Sequence, residues 1–210
     1  YFFVAFLFYH RLTMIASIIL GMGLPSIPAY IITATMAAPA LAEFGLPILV
    51  AHLFVFYYGI FANITPPVAL ASFAAAGLSG GNAMRTSFIS VRLAIAGFIV
   101  PFLFVYQPAL LMVDTTNVAT NAVDFPMASI GSIILVSFIA IVGILGLSAA
   151  IEGYFSMNLN IVERIVLGAA SLGMIIPETY STVIGTIVVA IIFLINFYKN
   201  KKESNRVIVD

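Results

Sequence analysis

The sequence predicts an all-α integral membrane protein, a polytopic helical bundle interrupted by one re-entrant hairpin and one broken helix. Three observations predict it. Hydrophobic residues make up 63% of the chain and charged residues only 8%, so polar groups are too few to cover a surface in water. Four apolar stretches, residues 46–77, 88–113, 128–151 and 180–198, are long enough to cross about 30 Å of hydrocarbon. Two further clusters of Gly and Pro sit where a straight span would have to pass.

Residues 1–9 are apolar from the first position and read as the tail of another span. They carry no initiator Met, no basic n-region and no small-residue cleavage site, which argues against a signal peptide and for a cut through a longer protein. Residues 12–42 are apolar too, but the middle reads Gly21-Met22-Gly23-Leu24-Pro25-Ser26-Ile27-Pro28. Two Gly and two Pro in that run do not fit one straight helix, and each arm falls short of the about 20 residues that a span needs. The reading is a hairpin that enters the membrane and turns back. Exposed backbone at that depth is tolerated only inside protein or beside a water-filled cavity.

Residues 46–77 hold Asn63-Ile64-Thr65-Pro66-Pro67. The two prolines remove two backbone donors, and Pro66 pushes Thr65 away from helical geometry, so two half-helices are expected there. Residues 88–113 and 128–151 are expected to be single spans. Residues 161–176 form a shorter segment that crosses only with little tilt or a thinned bilayer. Residues 180–198 are the last span, and 199–210 a solvated tail. In all, five or six crossing segments are expected. Three regions follow: 1–113 with the hairpin and the broken helix, 128–198 with the later helices, and the tail.

Orientation follows from the loops. Arg85 and Arg92 flank the start of the 88–113 span, the loop 114–127 has two acids and no base, and the tail carries Lys199, Lys201, Lys202 and Arg206. The positive-inside rule puts the tail in the cytoplasm and loop 114–127 outside, with Asn117 and Asn121. The broken helix then runs from outside to inside, and the hairpin enters and leaves from the outside. His10-Arg11 is the one basic element left outside. Glu43 and Glu178 fall at the outer interface.

Composition also excludes classes. The net charge is zero, so no field draws the chain to nucleic acid. There is no cysteine, hence no disulfide and no thiolate chemistry. No His-Glu-x-x-His, phosphate loop, dinucleotide fingerprint or metal-ligand cluster occurs. Nothing resembles the charged ring or carbonyl repeat of a channel.

Chemistry concentrates at the hairpin tip and the helix break. Half-helix C-termini and unwound carbonyls suit Na⁺, and half-helix N-termini suit a carboxylate. Alternatively, each cluster is a kink packed against neighbours. His52, inside the broken helix, either relays a proton or lines a cavity, or is a neutral imidazole bonded to a neighbouring helix. Arg92 either meets a substrate carboxylate or snorkels to the headgroups. Gly77-Leu78-Ser79-Gly80 matches the Gly-x-Ser-Gly of rhomboid intramembrane proteases, for which Ser79 would need a histidine such as His52. That serine protease is one alternative function, and a structural membrane bundle is another.

Gly21-Met22-Gly23-Leu24-Pro25, Ala29-Tyr30-Ile31-Ile32, Ala37-Ala38-Pro39-Ala40-Leu41 and Ala62-Asn63-Ile64-Thr65-Pro66-Pro67-Val68-Ala69-Leu70 together resemble the large (DctM-like) permease subunit of TRAP transporters, the tripartite ATP-independent periplasmic transporters. Arg92 to Phe102 and Tyr106 to Leu111 look like the continuation found in permeases whose small and large subunits are fused. The helices after Ala128 resemble the C-terminal extension of those proteins more weakly.

The resemblance implies an elevator mechanism in a bacterial or archaeal inner membrane. It implies Na⁺-coupled import of an organic acid such as a dicarboxylate, delivered by a periplasmic binding protein, with this chain as the second half of a larger permease. Carried over by position, the Na⁺ ligands are mostly backbone carbonyls, at Gly21, Ala62, Thr65 and Val68. Gly23, Ser26, Asn63, Pro66, Pro67 and His52 are candidates for the substrate cavity. Two positions depart from the family pattern: Ala62 and Ala69 stand where Gly is common. Alanine still offers its carbonyl, but not positive φ at low cost.

Overall fold

The computed structural model describes residues 2–114, 126–175 and 178–207. Most of the expected outer loop, with Asn117 and Asn121, and the last three residues of the tail lie outside them. The chain is helical throughout, with isolated β-bridges instead of strands among the described residues, and it divides into two compact units.

The first unit comprises Tyr1–Ala94 and Phe98–Ser129. It opens with α1 (Phe2–Gly21), a single helix of 20 residues. The expected boundary between the tail of one span (1–9) and the hairpin arm (from 12) is absent. No Gly or Pro lies between Phe2 and Leu20, so nothing at His10-Arg11 stops the helix. At 1.5 Å per residue α1 is about 30 Å long. The turn itself is where it was expected. Met22 and Leu24 donate backwards to Ile19 and Gly21, Gly23 adopts φ +78°, and α2 (Ser26–Met36) returns along α1. Gly is the residue that takes this left-handed conformation at little cost.

Pro39 restricts the residue before it, and α2 ends at Met36 before the short helix α3 (Ala38–Glu43). Residues 46–77 form α4 (Ile48–Phe61) and α5 (Leu70–Ser79), separated by turns over 62–69. Leu41, Val50, Phe54, Val55 and Tyr58 make a fully buried core, onto which Phe98, Phe102 and Leu111 pack.

The stretch 88–113 is not one straight helix. α6 (Ala83–Ala94) and the helical segment Gly97–Tyr106, which contains α7 (Val100–Tyr106), are bent by 59° at a short break. Pro101 falls in the first turn of α7, where a missing N–H is tolerated, so it marks the helix that starts after the break. The Tyr58 hydroxyl donates to the Phe98 carbonyl and ties the bend to α4.

The second unit comprises Ile95–Gly97 and Ile130–Asp210. It holds α8 (Ile130–Glu152), α9 (Ile161–Gly173) and α10 (Thr179–Val207). Asn160 opens α9 with a capping box. Its side chain accepts from the Ile161 N–H at 2.7 Å, and Glu163 Oε2 accepts from the Asn160 N–H at 2.9 Å. The sequence reading ended the last span at Tyr198, but α10 runs on to Val207. Residues 199–207 are thus a helical continuation, as the good helix formers Lys199, Lys201, Lys202 and Glu203 favour.

Among the described residues two helices are long and apolar enough to cross a membrane, or three if the bent pair counts as one. The expected five or six is therefore not reached by length. The break divides 46–77 into helices of 14 and 10 residues, and α9 has 13, about 20 Å against about 30 Å of hydrocarbon. Ile134, Leu135, Phe138, Ile141 and Leu145 stand exposed along α8, a surface that fits lipid.

Candidate functional site: the hairpin tip and the helix break

Gly21 is buried at the end of α1 and lies against the backbone of α4. A Cβ built on it would sit 2.5 Å from the Gly59 carbonyl oxygen, 2.9 Å from Gly59 Cα and 3.1 Å from Ala62 Cβ. One turn of chain further, a Cβ on Gly23 would meet Val68 Cγ1 at 3.6 Å. The hairpin tip therefore rests on the helix break, at both of its ends. The second arm meets α4 at the same place, because a Cβ on Gly59 would be 3.3 Å from Thr33 Oγ1. Thr33 is fully buried and donates to the Ala29 carbonyl at 2.9 Å. Gly59 is thus the residue on which both arms close. Sequence reasoning passed over it, although a glycine inside the otherwise bulky run Phe56-Tyr57-Tyr58-Gly59 is a sign of close backbone approach.

The break has its own hydrogen-bond pattern. Asn63, Ile64 and Thr65 donate to Ile60, Phe61 and Ala62 at 3.0, 3.1 and 3.2 Å, so the last turn of α4 tightens from i−4 to i−3 partners. Pro66 and Pro67 then supply no donor, and the bond between them is cis. Ala69 donates to Thr65 at 3.1 Å, and Ala71 reaches back to the Asn63 carbonyl at 3.0 Å. Ala69, which precedes α5, has φ 33° and ψ 51°, and no side chain caps that helix.

The carbonyls named from sequence differ in what they do. Those of Gly21, Ala62 and Thr65 each accept one backbone N–H, from Leu24, Thr65 and Ala69. Each keeps a second lone pair. Among the described residues the Val68 carbonyl accepts no backbone N–H across the break. Thr65 Oγ1 donates to the Phe61 carbonyl at 2.8 Å, which leaves its own lone pairs unused by that bond. Gly23, Ser26 and Pro67 are exposed, while Asn63, Thr65, Pro66 and Val68 are half-buried, so the tip and break present an open face.

The structure does not bring His52 to this place. His52 lies ten residues before Ala62, about 15 Å along α4. Its Nδ1 pairs with the Tyr30 hydroxyl of α2 at 3.1 Å. Ser79 donates to the Ala76 carbonyl at 3.3 Å, and no hydrogen bond links it to His52. No group of three potential metal-ligating side chains exists among the described residues. In the second unit a groove of about 440 Å³ between α9 and α10 is lined by apolar and small residues such as Ile165, Ala169, Gly173 and Gly185.

Residues 7–118, more than half of the chain, match the family model described as "Tripartite ATP-independent periplasmic transporter, DctM component". The chain belongs to this family. The match bears out the resemblance read from the Gly-rich tip and the Thr-Pro-Pro break, and in this DctM chain it spans the hairpin, the broken helix, α6 and α7. The helices α8 to α10 lie beyond the matched residues. No curated protein and no solved structure matches the chain. DctM proteins are membrane components of a transporter, so a multi-pass permease component is the coarse function of the chain.

Proposed function

We propose that this DctM chain is the second half of a Na⁺-coupled permease that imports an organic acid, handed over by a periplasmic binding protein. It works as part of a larger permease in a bacterial or archaeal inner membrane, with the hairpin re-entrant and the C-terminus cytoplasmic. One observation carries the reading: the tip of the hairpin lies on the helix break, Gly21 over Gly59 and Ala62 and Gly23 over Val68. Oxygen ligands for a hard cation are concentrated there, and the uncapped start of α5 offers backbone N–H groups to a carboxylate.

In this reading Na⁺ is held by carbonyls of Gly21, Ala62, Thr65 and Val68, with help from the Thr65 hydroxyl. No carboxylate lies in the tip or the break, so bound Na⁺ leaves the site with a net positive charge that favours an anionic substrate. Gly23, Ser26, Asn63, Pro66 and Pro67 border the substrate. His52 serves as a hydrogen-bonded pillar between α2 and α4, beyond the ion.

The test is sodium-driven uptake by the complete permease in proteoliposomes, with its binding protein and an organic acid. Thr65→Val keeps the volume and removes the hydroxyl. Sodium affinity should fall, and Thr65→Ser should restore it. Unchanged sodium dependence in Thr65→Val removes the hydroxyl from the site, and uptake by the unmodified permease that ignores sodium overturns the coupling itself. Gly21→Val is a poor probe of ion binding, because its Cβ meets the Gly59 carbonyl whether or not an ion is present.

A further inference from the structure

The last turn of α4 leaves one carbonyl over. Ala62 donates to Tyr58 at 3.2 Å, while Asn63 and Ile64 shift to Ile60 and Phe61. Gly59 thereby loses the Asn63 N–H that a continued helix would give it. Among the described residues the Gly59 carbonyl accepts no backbone N–H. It is nevertheless in a buried residue and faces the hairpin tip, 2.5 Å from where a Cβ on Gly21 would stand. A buried carbonyl without an N–H is uncommon and unfavourable, and a Cα–H of Gly21 is only a weak substitute.

The facing helix carries a second oxygen of this kind. From Phe8 to Gly21 the buried residues of α1 are His10, Ser17 and Gly21, whose spacings of seven and four put them on one face. His10 meets Phe54 and Gly21 meets Gly59, so this face is the seam with α4. Ser17 lies between them, fully buried, and its hydroxyl has no hydrogen-bond partner. A serine inside a helix ordinarily bonds to the carbonyl three or four residues back. Two oxygens in one buried seam are therefore left open, within about one helical turn of each other along α1.

We propose that the Gly59 carbonyl oxygen is a further direct ligand of the cation, and that the Ser17 hydroxyl is a positioning group that holds the ion's remaining water. This rests on the reading that Na⁺ binds between the tip and the break. Hard cations gather about six oxygens or more, and Gly21, Ala62, Thr65 and Val68 supply fewer. Gly59 adds a carbonyl whose two lone pairs are both unused by N–H groups. It also gives an open carbonyl to each side of the break: Gly59 before it, facing Gly21, and Val68 after it, beside Gly23. The cation then draws on α4, on the turn and on the hairpin together, so its binding fastens the tip to the break.

The test labels the full chain with carbonyl-¹³C glycine and ¹⁵N isoleucine. Of the 15 glycines only Gly59 and Gly143 precede an isoleucine, so a carbonyl-to-nitrogen correlation in bilayers isolates Gly59, with Gly143 of α8 as internal control. Replacing KCl by NaCl at equal ionic strength should move the Gly59 carbonyl carbon downfield and leave Gly143 in place. Thermal melting of the same chain across a NaCl series gives the sodium affinity. Ser17→Ala should weaken it about tenfold, the usual loss for a partner in the outer shell. A hydroxyl that is merely unpaired predicts otherwise, because Ser17→Ala would then stabilise the chain equally in both salts. Sodium stabilisation with an unmoved Gly59 carbonyl, or with the same affinity in Ser17→Ala, overturns the proposal and leaves the site at the tip and break standing. Absence of any sodium effect on the unmodified chain overturns both. The carbonyl measurement uses unmodified residues, so the test stands even where Ser17→Ala does not fold.

Discussion

Replacing Gly21 by alanine adds one methyl group where the structure leaves no room for it. The Cβ would lie 2.5 Å from the Gly59 oxygen and 2.9 Å from Gly59 Cα, against about 3.5 Å for an ordinary contact. Both obstacles are backbone, so no rotamer change relieves them. α1 must withdraw from α4 by about 1 Å, and a gap of that size forfeits a quarter to a half of each dispersion contact along the seam. Overpacking of this kind costs about 1–3 kcal/mol, and the upper half of that range is expected here. Two other glycines calibrate the effect. A Cβ on Gly77 in α5 meets nothing within 4 Å, so Gly77→Ala should stabilise by up to about 1 kcal/mol through helix propensity. Gly59→Ala, whose nearest neighbour is a side-chain hydroxyl at 3.3 Å, should fall between the two. The assay is thermal unfolding of the purified chain in detergent, followed by circular dichroism. A Gly21→Ala protein that melts with the wild type, or above Gly77→Ala, would show that the tip is not seated on α4.

The second unit gives two further expectations. Asn196 is buried, and its Oδ1 accepts the N–H groups of Ser156 and Met157 at 3.0 and 2.9 Å; Asn196→Ala strands two donors and should cost about 2–4 kcal/mol in the same melt, while Asn196→Asp, which keeps the acceptor, should cost less. Arg164 ends α8 by donating Nε and Nη2 to the Ala150 and Ile151 carbonyls at 2.9 and 2.7 Å; Arg164→Met keeps the stem, loses both bonds, and should cost about 2–3 kcal/mol, seen as faster limited proteolysis of the 153–160 loop.

Much of the architecture could be read directly. The tip at 21–28 and the break at 62–69 are marked by Gly and Pro, whose backbone chemistry is local and therefore visible in one dimension. The same holds for α8, where an uninterrupted apolar run leaves only one conformation that satisfies its backbone in lipid. What failed was extent. His10-Arg11 looks like a boundary by polarity, yet α1 passes through it, because His10 is buried edge-on against Phe54 at 5.9 Å. That contact joins residues 44 apart and has no local signature. The 59° bend in 88–113 is obscured for the opposite reason: apolar length masks the break after Ala94, and Pro101 only marks the first turn of α7 beyond it. At the site, the tip residues were named from motif and the structure supplied their seat. Gly59 was missed because its role appears only once Gly21 and Thr33 arrive from another part of the chain.

The two alanines that flank the break, Ala62 and Ala69, are alike in sequence and unlike in structure. Ala62 has φ −54° and ψ −30°, an ordinary helical conformation, and its Cβ fills the contact beneath Gly21. Nothing there calls for glycine. Ala62→Gly removes a buried methyl, worth about 0.8 kcal/mol, and adds the backbone entropy cost of glycine in a helical position, about 1 kcal/mol. It should therefore destabilise by about 2 kcal/mol. Ala69 has φ 33° and ψ 51°, a left-handed conformation that costs an L-residue about 1–2 kcal/mol. Ala69→Gly relieves that strain but surrenders a fully buried methyl and loosens the unfolded chain, which together offset about 1–2 kcal/mol. Its melting temperature should stay close to that of the wild type. Ala69→Val separates the explanations, because a β-branched residue at positive φ adds strain in either account, and the loss should exceed that of Ala62→Gly. Equal losses in Ala62→Gly and Ala69→Gly would mean that packing alone governs both positions, and that the left-handed turn before α5 imposes no strain on its residue.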